Sequence, residues 1–307
     1  MPDDAATRTR SARPTSAPTA IDDSRPFGAH LRMSWWKPLL IILVPPVVMI
    51  LVQIPLYQAI ALVEGSSDPL SPTITPLKFL ASNLSIGLTG FLAVVLAARL
   101  AQVPWRRLLS SPRRFDRMRL LTHLGGGVVL VALGLAVTRI VAPEDLGWSE
   151  FGVSGTTVAM LVAVVLTTPM QAAGEELMFR GAILPAAASW VRAVRPALAL
   201  GIAVSSLTFM LVHGSSDPWL AAYYVLVGVS TGVMIIISRG LEAPIAFHVA
   251  NNVLGFSLTS IFSGGGAFVI DRSAGVAGLS LLVFAAVNIA MVVLVWAYEQ
   301  RRRSAAG

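Results

Sequence analysis

Long apolar stretches separated by short polar ones constrain this chain more than any other feature. They run from about Pro38–Val63, Leu77–Ala98 and Leu120–Val141 to a fourth that begins near Thr156. Four more follow at about Pro196–His213, Trp219–Ser238, Ala243–Phe262 and Ala274–Ala297. An apolar run of about 20 residues is what a helix needs to cross the hydrocarbon of a bilayer. Only 13% of the 307 residues are charged, against about 25% in an ordinary soluble domain. The expected fold is therefore all-α, a polytopic membrane protein with about eight transmembrane helices. Cysteine is absent. That excludes disulfides, iron–sulfur clusters, a thiol nucleophile and Cys-ligated zinc.

The polar segments supply the topology. Residues 1–34 are rich in Asp, Arg, Ser, Thr, Ala and Pro and contain no apolar signal region, so they read as a disordered tail. Trp35 and Trp36 mark an interface, and Pro45, Pro46 and Pro55 predict kinks in the first span. The 99–119 loop holds seven arginines against Asp116 alone, and Arg301, Arg302 and Arg303 close the chain. With eight spans and a cytoplasmic N-terminus, all 23 basic residues but Lys78, Arg139 and Arg272 fall on the cytoplasmic side, as the positive-inside rule requires. The net charge of +7 thus belongs to loops beside anionic lipid and carries no nucleic-acid signal. Ala182–Arg195, with Trp190, reads as an interfacial segment. Arginine outnumbers lysine 21 to 2, as in a high-GC genome. The expected location is a bacterial plasma membrane with both termini cytoplasmic.

One stretch breaks the apolar pattern. Gly174-Glu175-Glu176-Leu177-Met178-Phe179-Arg180-Gly181 lies between two charge-free runs. Each ionisable group there costs roughly 2.5 to 3.5 kcal/mol on insertion scales. Adjacent helical residues point about 100° apart, so Glu175 and Glu176 face different directions. Arg180 lies four residues after Glu176, the favourable acid-first order, so these two pair. Glu175 is left without a local counter-charge and is the candidate general base. A buried structural salt bridge is the plain alternative for the trio.

Two further polar positions join it. His213 ends the fifth span, one turn after Phe209. His248 lies early in the seventh and shares a face with Asn252, four residues on. A lone membrane histidine is commonly just hydrogen-bonded to a neighbouring helix. Glu, Arg, two His and Asn on three helices read together as one constellation facing a water-filled cavity. Water activated by a glutamate is the simplest chemistry this set supports. A transporter or channel using the Glu/His cluster as a proton relay is the alternative, as is a non-catalytic site for a partner. Against transport, the spans show no repeat and no paired broken helices.

Glu175-Glu176-x-x-x-Arg180, Phe209-x-x-x-His213 and His248-x-x-x-Asn252, each on its own expected helix, resemble the CPBP family. These are the CAAX proteases and bacteriocin-processing enzymes, also called Abi intramembrane proteases. The resemblance covers about 155–260, between spans one to three (35–150) and a last helix with its basic tail (274–307). It implies a catalytic core of four helices and an endopeptidase acting on a membrane-associated protein or peptide. It implies that Glu175 and His213 activate the water, that His248 and Asn252 hold the oxyanion, and that Glu176, Arg180 and Phe209 support them. Zinc is a candidate cofactor, with Glu175, His213 and His248 as a plausible ligand set; a metal-free Glu/His mechanism is the rival. One tension remains: these span boundaries put His213 near the outer end and Glu175 near the inner one, so either the helices tilt or the Gly214–Pro218 turn dips inward.

Overall fold

The computed structural model describes residues 20–305; the expected tail at 1–19 lies outside them. Eight long helices are present: α1 (Lys37–Glu64), α2 (Pro76–Ala101), α3 (Arg117–Val141), α4 (Gly155–Ala188), α5 (Val194–His213), α6 (Pro218–Ser238), α7 (Glu242–Ile261) and α8 (Ser280–Ser304). Seven are long and apolar enough to cross a membrane. The exception is α7, which carries Glu242, His248, Asn251 and Asn252. The protein is an integral, multi-pass, all-α membrane protein. Its ends are set by local chemistry. Thr75, Asp116, Ser154 and Asp217 each accept backbone N–H groups at a helix start. Gly214, left-handed at φ 59°, stops α5 directly after His213.

Small residues bring the central helices together. A Cβ on Gly90 would lie 2.0 Å from the Gly174 carbonyl, and one on Gly174 would lie 2.6 Å from the Gly87 Cα. Only glycine allows this α2–α4 crossing, the small-residue packing usual where no hydrophobic drive pulls helices together. On the other side Gly201 of α5 abuts the Leu184 carbonyl. The Ser205 hydroxyl donates to the Phe179 carbonyl at 2.9 Å. These contacts fix the register of α5 on α4 and resolve the tension over depth. Counted from the Ser205–Phe179 contact along the antiparallel α5, His213 lies level with about Gln171, roughly two turns from that contact. α4 has 34 residues, about 51 Å at 1.5 Å per residue. Its N-terminal half therefore runs well past the end of α5, and the Gly214–Asp217 turn lies inside the far end of the bundle. A loop covers it: Arg272 accepts from Ser216 N at 2.8 Å, and Asp217 accepts from Gly275 N at 2.8 Å. Those backbone donors hold the Asp217 carboxyl below the usual carboxylate range. Beside this loop a two-stranded antiparallel ribbon pairs Thr73 with Val269 and Ile74 with Phe268. It packs Phe268 against Phe79 and Phe256.

Two expectations need correction at the end that carries residues 20–34 and the end of α8. Residues 20–34 are no tail. Ile21 pairs with Leu31, and Phe27, Ala29, His30 and Leu31 are fully buried. Arg25 donates to the carbonyls of Val191 and Arg192, while Trp190 Nε1 donates to the Trp35 carbonyl at 2.7 Å. Polar composition concealed a short hook whose few apolar residues all find the core. Nor is the start of the 182–195 segment interfacial. Ala182–Ala188 is the buried end of α4, and only the turn after it meets the hook. The α2–α3 loop is docked rather than free, because Arg113 grips Glu242 through two hydrogen bonds of 2.5 and 2.8 Å and donates to the Ser238 carbonyl.

Candidate active site

The polar constellation forms at the point where α4 changes pitch. Gly155–Glu176 is α-helical, Leu177–Ile183 is a π-helical turn, and Leu184–Ala188 is α-helical again. Such single π turns recur at functional sites, because the extra residue per turn re-aims neighbouring side chains. Arg180 lies inside it, fully buried, with Nε 3.4 Å from Glu176 Oε2. Its guanidinium stands over the Phe209 ring at 4.5 Å and near Phe179 at 5.7 Å. The cation is thus held by one carboxylate and two ring faces. Phe209 does more than precede His213: it is the floor on which Arg180 rests.

His248 enters from α7 between the two glutamates. Its Nδ1 is 2.8 Å from Glu176 Oε1 and its Nε2 is 3.3 Å from Glu175 Oε2. Glu175 is therefore not without a neighbouring polar partner, and Glu176 is not Arg180's partner alone. The two carboxylates do diverge along the helical arc. The imidazole lies across that arc and offers one nitrogen to each. Glu176 is fully enclosed, whereas Glu175 reaches a cavity. Gln171, one turn back, donates from Nε2 to Glu175 Oε1 at 2.7 Å. Glu175 Oε2 is buried and accepts no hydrogen bond among the described residues.

The cavity holds about 380 Å³. Glu175, Phe209, His213, His248 and Asn252 all line it, with Gln171, Tyr224 and Asn251. So the structure brings together every candidate catalytic residue, although not as one directly bonded set. His213 is linked to the rest through rings. It packs at a tilt against Phe209 at 4.4 Å and Tyr224 at 4.1 Å, and Phe209 lies 6.3 Å from His248. Its Nδ1 is 2.7 Å from the Phe209 carbonyl. That carbonyl needs a donor, so the proton sits on Nδ1 and Nε2 is left as the acceptor. Asn252 donates to Gln171 Oε1 at 3.1 Å and receives Asn251 Nδ2 at 3.1 Å. A relay of amides, Asn251 to Asn252 to Gln171, thus ends on Glu175. Gln171 and Asn251 were not singled out from sequence. Gln171 was within reach of the same four-residue spacing that paired Glu176 with Arg180. Tyr224 carries no signal beyond its aromatic type.

The zinc set meets these residues poorly. Among the described residues no group of three or more His, Cys, Asp or Glu is gathered to hold a metal ion. Both nitrogens of His248 face carboxylates, and His213 touches neither glutamate, so Glu175, His213 and His248 do not converge on one point as placed.

Residues 155–254 match the family of type II CAAX prenyl endopeptidase Rce1-like proteins. No curated protein matches the chain. The matched stretch runs from the first residue of α4 to Leu254 in α7, and so contains all seven residues picked out above.

Proposed function

We propose, from the premise that residues 155–254 belong to the CAAX-protease family, that this intramembrane protease cleaves a peptide bond with water activated by Glu175, without a metal. The observation that carries it is Glu175 at the cavity wall, with Oε1 fixed by Gln171, Oε2 accepting no hydrogen bond among the described residues, and His248 Nε2 3.3 Å from Oε2. A water there gives a proton to Glu175 while its oxygen attacks the substrate carbonyl carbon. His213 Nε2 is a second acceptor facing the same space. The oxyanion that forms is met by the second N–H of the Asn252 amide, and by His248 Nε2–H once Glu175 has taken the proton of the water and no longer competes for it; a well-aimed donor of this kind is worth about 3 kcal/mol. Collapse breaks the C–N bond, and the proton on Glu175 leaves with the amine. Glu176 keeps His248 in orientation through Nδ1, and Arg180 balances Glu176. The substrate is a membrane-associated protein or peptide. The matched family of CAAX prenyl endopeptidases makes prenylated protein C-termini one candidate class, while peptide maturation and regulation of a membrane partner are others. The basic loops favour an orientation with both termini cytoplasmic, and the arginine-rich composition favours a bacterial plasma membrane.

A metal test follows. Purified protein stripped of metal by chelation, with its metal content measured, should keep its full peptidase rate. Loss of activity on stripping, with recovery on adding zinc, would overturn the metal-free mechanism.

A further inference from the structure

The cavity lining holds a charge that has not been used. Glu175 is one contributor. Another contributor is Arg272, the sole arginine or lysine among the cavity's lining residues. It lies in the loop after the ribbon, beyond the family match, and is anchored through its backbone: its carbonyl accepts from Ser216 N at 2.8 Å and from Ser215 Oγ at 3.4 Å. The side chain is partly buried beside the Tyr224 hydroxyl, and its Nε is shut off from solvent with no partner. It makes no ion pair among the described residues. The nearby acids are engaged elsewhere. Asp271 accepts Ser273 N, and Asp217 caps α6 through Trp219 and Leu220 and holds Gly275. A guanidinium at a cavity wall with a phenol hydroxyl beside it and no carboxylate partner among the described residues is costly to keep, and its planar fork matches a carboxylate.

We propose that Arg272, with the Tyr224 hydroxyl, is the anchor for a carboxylate of the bound peptide, and that it orients the peptide in the cavity. This rests on the endopeptidase reading. A peptide entering in the opposite sense would set its carboxylate beside Glu175, where like charges repel. With the carboxylate at Arg272, a neutral backbone carbonyl faces Glu175. The anion can be a C-terminal carboxylate or an Asp/Glu side chain close to the cleaved bond.

The test uses the full chain in nanodiscs, with Glu175→Gln to stop turnover. Three labelled apolar hexapeptides are titrated by fluorescence anisotropy: one with a free C-terminus, one amidated, and one amidated with an internal Glu. At least one carboxylate peptide should bind about 10-fold tighter than the neutral one, which is about 1.4 kcal/mol. The peptide that gains identifies the source of the anion. Adding Arg272→Gln should bring the Kd of that peptide to the neutral value and leave the neutral peptide unchanged, while Arg272→Lys should restore part of the preference. Equal binding of all three peptides, no binding of any, or a preference that survives Arg272→Gln overturns the proposal. Melting temperatures identify a misfolded variant, and Arg272→Lys then decides the matter by retaining the preference. Cleavage of the same peptides by wild type is read separately. A carboxylate preference without cleavage would sink the endopeptidase reading and leave the anchor standing.

Discussion

At the scale of single residues, the two adjacent glutamates have separable duties. Glu176 is fully buried against Arg180 on one oxygen and His248 on the other. Glu176→Gln leaves a guanidinium unbalanced in an apolar place, where breaking a buried pair costs about 3 kcal/mol or more. That variant should melt lower in detergent, and its activity should fall mainly with the amount of folded protein. Replacing Glu176 and Arg180 together by Met should recover only part of the melting temperature, because His248 Nδ1 still lacks its acceptor. A Glu176→Gln protein as stable as wild type would refute the structural role. The Glu176–Arg180 pair was readable from spacing alone. The bridge through His248 was not, because it joins α4 to α7 across 72 residues and depends on packing that no local pattern encodes.

At the scale of elements, spacing foretold where helices lie better than how they meet. Eight apolar runs became eight helices, with α4 longer than expected because a π turn carries it on to Ala188. Glycine at 87, 90 and 174 could have pointed to a close crossing, yet only the fold shows that the three face one another. The hook at 20–34 was missed for a physical reason: three buried apolar side chains do not outweigh polar composition in a sequence reading. His30 makes the hook testable by pH. It accepts Gly28 N–H at Nδ1 and donates from Nε2 to the Arg107 carbonyl at 3.1 Å. Burial pushes it down to about 4. The undocked ring has the ordinary value near 6.5, so the folded hook resists protonation. Its stability is present above about pH 6.5 and is lost as pH falls toward 4. Limited proteolysis within residues 20–34 should therefore accelerate at pH 5 relative to pH 7.5. Replacing His30 by Gln should flatten that dependence. Equal cleavage at both pH values in the unaltered protein would contradict it.

At the scale of the whole molecule, the bundle separates a basic end from a covered one. The arginine-rich α2–α3 loop, the hook and the end of α8 share one end. The ribbon, the Arg272 loop and the α5–α6 turn lie at the other. Reporter fusions after residues 70, 110, 147 and 303 should read outside, inside, outside and inside; the inverted pattern would reverse the proposed orientation. The central claim is that Glu175 makes this cavity a peptidase site. It is tested most directly by comparing new N-termini in membranes from cells that make wild-type or Glu175→Gln protein at equal folded amounts. Because the substitution keeps size and the Gln171 contact but removes the proton acceptor, melting should be nearly unchanged. The rate at which wild-type-dependent N-termini arise should fall by at least about 100-fold. The same N-termini, formed at the same rate by both proteins, would contradict it.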